Sequence, residues 1–447
     1  MKIITLISFL NPFLKNKILK QLPEIILSIL TARGRITMLG LSRWSSNISY
    51  QTINRFFHSS IDWDKINWTL IKKYLKNGGV WLLVGDEVVV SKSGKKTYGL
   101  GYYFSSLQNQ VIKSIAFLNL SLVSVETGKA YSILTKQIIK TNSDGCPKKK
   151  FSSNKKSKKI GKKSKTRGRK KGSKNKNKAD VELSAYLLFV QTAILRVLSL
   201  INNKLKIVYF VFDGEFGYNS AVEMVKQTGL QFISKLRRDS ALFFPYKGEY
   251  SGKGAPKKYD GQLDYDDISD KDYLKETTED GDIETKFYQM NMLHKNFANM
   301  LNIVIIKKRN IKTDKESRVV LFSTDLDLSY DKVVKYYSLR FQIEFVFRDA
   351  KQYWGLEDFM NTKKIAVHNW SNFSTFMVNF VAILKKEKFK NSEMSSLDLK
   401  AHYHGIYYVD TVLKLLPKKP DNILIKTLYE KISTIGAIYK YKEAVQW

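Results

Sequence analysis

Residues Ile207–Phe212 (IVYFVF) form an almost wholly apolar run that stops on Asp213-Gly214. A run this short, rich in β-branched and aromatic residues, is a strand buried on both faces. Such a strand needs a sheet around it and helices above and below. Its closing aspartate then lies at the C-terminal edge of the sheet, where α/β folds build their sites. The flanking pattern agrees. Val80–Val90 (VWLLVGDEVVV), Val111–Val125 and Lys129–Ile139 read as three strands, Val181–Ile201 as a helix, Tyr218–Gln227 as a short helix closing at Gly229, and Leu230–Leu236 as a further strand. Asp86 interrupts the first strand. Alternation puts it on the face of Leu82 and Val84 and puts Glu87 on the other, although the pattern alone leaves open which face is the site.

Late in the chain Tyr337, Arg340, Glu344 and Lys351 follow at spacings of three, four and seven residues. On one helix those steps bring all four side chains to a single stripe. A phenol, a guanidinium, a carboxylate and an ammonium do not make a core face. Arg340 can clamp a phosphate with two donors, Lys351 can hold one as a point charge, and Tyr337 can donate to one or stack. Taken alone, Glu344 is a surface acid paired with Arg340 or Arg348, and Asp213 is a turn residue ahead of Gly214. Taken together, Asp86, Asp213 and Glu344 are three acids on distant elements. Two Mg²⁺ ions require such a set to activate a nucleophilic oxygen and stabilise a leaving one.

Charge narrows the partner. Seventy-six Lys and Arg stand against 41 acids, a net +35. Lys148–Lys178 alone carries 17 Lys or Arg in 31 residues and no acid, a composition expected to be disordered in isolation. Within it, Arg167 and Arg169 flank Gly168 and precede Lys170. This basic tract suits nucleic acid, through minor-groove insertion of Arg167 and Arg169 or through non-specific phosphate contacts with counterion release; the composition favours the latter. No stretch reaches the length of a membrane span. The single Cys146 rules out an internal disulfide and fits a reducing cytoplasm, with the protein on the nucleoid. His402 and His404 read as a surface pair. The stretch 41–58 reads as a helix-turn-helix facing DNA with Arg43, Gln51 and Arg55, or equally as a plain helical hairpin.

The pattern Tyr337-x2-Arg340-x3-Glu344-x6-Lys351, with VFDGEFG at Asp213 and GDE at Asp86, resembles the Y-R-E-K signature of bacterial insertion-sequence DDE transposases. The resemblance covers most of residues 30–385. It implies an α/β (α+β) fold with a ribonuclease-H-like mixed sheet, flanking helices, a β-rich insertion before the Glu344 helix and a helical N-terminal domain. It also implies that Asp86, Asp213 and Glu344 hold two Mg²⁺, with Mn²⁺ able to substitute, and that the enzyme cuts double-stranded DNA at inverted repeats and joins it to a target. A homodimer or larger synaptic complex would be the working form. Two features depart from the family: Glu87 is followed by Val88 where Thr is frequent, and no Trp lies between residues 214 and 343 to stack on a displaced base.

The expected organisation is 1–75 helical and DNA-end binding; 76–236 the first part of the catalytic core, with the basic tract at 147–178; 237–326 the insertion, including an acidic loop at 260–284; 327–389 the second part of the core; and 390–447 a small helical tail. The rival functions are a catalytically silent DNA-binding derivative and a nuclease that cuts without rejoining.

Overall fold

The computed structural model describes residues 3–45, 47–74, 79–105, 108–139, 177–250, 252, 254–389 and 394–438. Arg167, Arg169, Lys170 and the rest of the tract to residue 176 lie outside the described residues.

The chain opens with helices α1 (Ile3–Ile7), α2 (Asn16–Thr31), α3 (Met38–Arg43), α4 (Tyr50–Phe57) and α5 (Trp63–Tyr74). Strands β1 (Trp81–Ser91), β2 (Gly101–Ser105), β3 (Gln110–Ser124) and β4 (Ala130–Ile138) follow, then α6 (Ala185–Ile201), β5 (Ile207–Val211), α7 (Asn219–Lys226) and β6 (Gln231–Leu236). β3 pairs antiparallel with β1 and β4, whereas β1, β5 and β6 run parallel to one another. The resulting order β4-β3-β1-β5-β6 is a ribonuclease-H-like core, an antiparallel meander whose first strand continues into a parallel crossover. β2, which the sequence pattern did not reveal, is a five-residue strand on β3. Its Gly, Tyr and Ser residues carry no strong alternation.

Beyond β6 come β7 (Leu242–Pro245), β8 (Tyr259–Gln262), the single turn α8 (Asp270–Tyr273), β9 (Leu274–Asp280), β10 (Ile283–His294), β11 (Leu301–Asn310) and β12 (Glu316–Ser323). β12 pairs antiparallel with β6, so the insertion extends the core sheet to twelve strands instead of forming a sheet of its own. Residues 260–284 are not the loop that their acidity suggested. β9 forms a hairpin with β10, and its exposed side chains leave the carboxylates in water while the backbone supplies the pairing. Acidic side chains on an edge strand also discourage further strands from adding.

The chain ends with α9 (Tyr330–Leu339), α10 (Gln342–Gln352), α11 (Lys364–Leu384), α12 (Ser396–Leu415) and α13 (Asn422–Ile432). One face of β1 packs Leu82, Val84 and Val88 with α10, α11 and the N-terminal helices in a common cluster that includes Leu6, Leu10, Phe57 and Trp370. The other face packs Leu83, Phe210, Phe212 and Phe232 with α6 and α7. The N-terminal helices therefore share a core with the late helices. A buried polar stripe on α11 fixes this docking. Asn369 accepts from the Trp63 indole at 3.0 Å and donates to the Phe57 and Ser59 carbonyls, and Asn379 exchanges hydrogen bonds with the Ser132 backbone on β4. His402 and His404 are buried, not a surface pair, because α12 packs on α2, where His404 meets the Thr31 carbonyl at 2.9 Å. Among the described residues no helix is long and apolar enough to cross a membrane.

Gly355 lies just beyond the Tyr353 C-cap of α10 with φ +75°, and a Cβ there would come within 2.7 Å of the Ile36 side chain. Gly355→Ala is expected to cost roughly 2–4 kcal/mol, combining left-handed strain with overpacking. Chemical denaturation measures it; a loss within about 0.5 kcal/mol would show that the turn relaxes freely.

Candidate active site

The Phe210 and Val211 side chains are fully buried in the sheet. The chain then turns at Asp213, which is the N-cap of a short 3₁₀ turn; its carbonyl accepts from the Phe216 amide at 3.0 Å and the Ser234 hydroxyl at 2.8 Å. Gly217 closes this turn. A Cβ there would fall 2.2 Å from the Lys235 carbonyl, so only glycine allows β6 to approach so closely. Asp86 lies on the β1 face shared with Leu82 and Val84, whereas Glu87 projects from the opposite face to the Tyr186 hydroxyl on α6.

The stripe from Tyr337 to Lys351 was expected on one unbroken helix. The structure makes it two. α9 ends at Leu339 and α10 starts at Gln342, and the backbone bonds across Arg340-Phe341 are the tighter i→i+3 kind, such as Arg340 to Tyr337 at 3.1 Å and Glu344 to Phe341 at 3.0 Å. This tightening rotates the two halves relative to each other. Tyr337, Arg340 and Glu344 still face the acids. Lys351 does not: its ammonium donates to the Val89 carbonyl at 3.0 Å and pairs with Glu357 at 3.0 Å, tying α10 to β1.

The guanidinium of Arg340 lies among the three acids. Nη1 reaches Asp86 Oδ2 at 3.0 Å, and Nη2 lies 3.3 Å from Glu344 Oε1 and 3.9 Å from Asp213 Oδ1. Three residues that are remote in sequence therefore converge on one cation. Burial drives the Asp86 carboxyl up to about 6; Asp213 and Glu344 add to the rise, while Arg340 and the Glu87 amide oppose it. Burial would lower the Arg340 pKa, but the three carboxylates outweigh it and hold the guanidinium above its usual value. Burial also raises the Tyr337 phenol, which borders the same charges.

A divalent ion asks for this donor set, hard carboxylate oxygens around a seat that already holds positive charge. As the side chains stand, no three His, Cys, Asp or Glu among the described residues close around a single point. The guanidinium stands between them. The residues fit a metal pair if Arg340 gives way.

Raised above its unfolded value, Asp86 contributes stability in its protonated form at low pH and loses it as pH rises through about 6. Metal-free wild type should therefore lose up to about 3 kcal/mol relative to Asp86→Asn between roughly pH 4 and 7. Denaturation in chelator across that range reads the difference, and parallel curves would refute it.

The mixed sheet thus has a ribonuclease-H-like strand order, with acids from β1, the end of β5 and a late helix converging beside it. The family model described as DDE superfamily endonuclease matches residues 9–287, more than half of the chain, and the protein belongs to this family. The match takes in Asp86 and Asp213 and ends before Glu344. No curated protein matches the chain. Membership implies nuclease or transposase-type activity on DNA, and the family generally uses divalent metals.

Proposed function

We propose that the protein is a DDE transposase that cuts DNA at the inverted-repeat ends of an insertion sequence and joins the freed 3′ ends to target DNA. The observation that carries this reading is the meeting of Asp86, Asp213 and Glu344 around Arg340. These three acids would hold two Mg²⁺, or Mn²⁺ in their place. When bound, such ions lower the pKa of an attacking oxygen and stabilise the departing one.

The chain's own residues supply the rest. Arg340, released from the acids, is placed to clamp the scissile phosphate with two donors, and Tyr337 borders the same phosphate. Lys351 holds α10 against β1 and so keeps Glu344 in register with Asp86. The basic tract, with Arg167, Arg169 and Lys170, adds phosphate contacts that strengthen DNA binding at low salt. The N-terminal helices present Gln51 and Arg55 outward from α4, a suitable face for the element ends. A homodimer or larger assembly would bring two ends together.

A labelled duplex carrying candidate ends, incubated with Mg²⁺ and a target plasmid, tests the reading. Transfer of label into the plasmid is the expected result. Nicking without transfer would make the protein a hydrolytic nuclease, and binding without cutting would make it a transposase-derived DNA-binding protein.

A further inference from the structure

At Asp213 opens a groove of about 740 Å³, lined by Asp213, Gly214, Tyr218, Lys235, Arg237 and His294 among others. Three observations on it go together. First, Phe212 and Phe216 stack at 3.9 Å with nearly parallel rings, and Phe216 stacks in turn on Tyr218 at 6.2 Å. This aromatic ladder ends in the groove at Tyr218, which is 41% exposed.

Second, the groove's cations differ from those of the insertion. There Lys286, Arg309, Lys312 and Arg318 each hold an acid, Asp270, Asp314, Asp282 and Asp266 respectively. Lys235 and Arg237 are exposed and make no ion pair among the described residues; the exposed Glu215 lines the same groove and the exposed Asp239 lies two residues beyond Arg237. Third, the lining includes a further donor. His294 Nδ1 accepts the Asn296 amide at 3.1 Å, leaving its Nε2 to donate.

We propose that this groove holds an unpaired DNA strand adjoining the phosphate at the triad, with a base stacked on Tyr218 and phosphates on Lys235 and Arg237. The inference rests on the DNA-cutting reading above and deepens it. The volume is that of a pocket for a small ligand, enough for one or two nucleotides and too small for a duplex. Stacking on an aromatic ring with phosphates held in a basic groove is how single strands are bound without regard to sequence.

The test is binding of fluorescein-labelled duplexes to the full chain in chelator, at salt high enough to weaken the general pull of duplex DNA. One duplex is blunt, and two others of the same sequence carry a two-nucleotide 5′ or 3′ tail. Wild type should bind one tailed duplex about tenfold tighter than the blunt one, and the favoured tail gives the strand's polarity. Tyr218→Leu, and Lys235→Gln with Arg237→Gln, should each reduce that preference below threefold while changing blunt-duplex affinity less than twofold. Unchanged melting temperatures confirm that the variants fold. Equal affinity of wild type for all three duplexes, or variants that lose blunt and tailed binding alike, would overturn the proposal. Because nothing is cut in chelator, this outcome is independent of whether Glu344 acts in cleavage.

Discussion

Replacing Glu344 by Gln should lower DNA cleavage on the order of 10³-fold or more while leaving DNA affinity within about twofold. The substitution keeps the shape of the side chain and removes its charge. Glu344 is 42% exposed at its side chain and anchors no core packing, so the fold should not suffer. Its carboxylate lies 3.3 Å from Arg340, in the same cluster as Asp86. Losing one of three carboxylates removes several kcal/mol of charge stabilisation at the reacting phosphate, and about 1.4 kcal/mol is a factor of ten in rate. Single-turnover cleavage of pre-bound duplex, with Mg²⁺ and with Mn²⁺, reads the effect. Cutting at the wild-type rate would remove Glu344 from the chemistry.

Arg340→Ala should separate two roles of one residue. Without metal, the guanidinium is the counter-ion of three carboxylates, one of them largely buried. Its removal leaves like charges facing one another, at an expected cost of about 2–3 kcal/mol, moderated by the solvent at Asp213 and Glu344. A divalent ion can take over that duty, so Mg²⁺ should raise the melting temperature of the variant more than that of wild type, because binding to the folded state alone stabilises it. Cleavage should nonetheless fall roughly 10²-fold, since the phosphate loses a two-donor clamp. Thermal melts with and without Mg²⁺, beside the cleavage assay, show both. Equal Mg²⁺ responses in the two proteins would mean that the guanidinium does not stand in the cation seat.

The parts of this architecture readable from sequence are those written in local pattern. The β5 run that stops at Asp213, the alternation that separates Asp86 from Glu87, and the three- and four-residue steps from Tyr337 to Glu344 are all short-range. In the segment 237–326 the apolar runs Ile303–Ile306 and Val319–Phe322 mark β11 and β12, but the other four strands carry no such run. β9 is highly charged because it is an edge strand, and a charged edge reads like a loop. The break at Arg340-Phe341 was also hidden, since both residues have right-handed helical backbone angles and only the shortened hydrogen bonds mark the turn. Lys351 shows the consequence. Its spacing suits a phosphate, yet Val89 and Glu357 are nearer. The polar stripe Asn369, Asn372, Thr375 and Asn379 resembles a solvent face until α5 and β4 are known to cover it. Its partners lie hundreds of residues away.

The central claim is that Asp86, Asp213 and Glu344 together hold the divalent ions. Iron-directed backbone cleavage tests it most directly: Fe²⁺ replaces Mg²⁺ in the full-length protein, and ascorbate with peroxide generates radicals at the bound ion. The account predicts cuts near all three acids, suppressed by excess Mg²⁺ and lost in Asp86→Asn. Cuts confined to the acidic segment 260–284, or cuts that Mg²⁺ does not suppress, would contradict it.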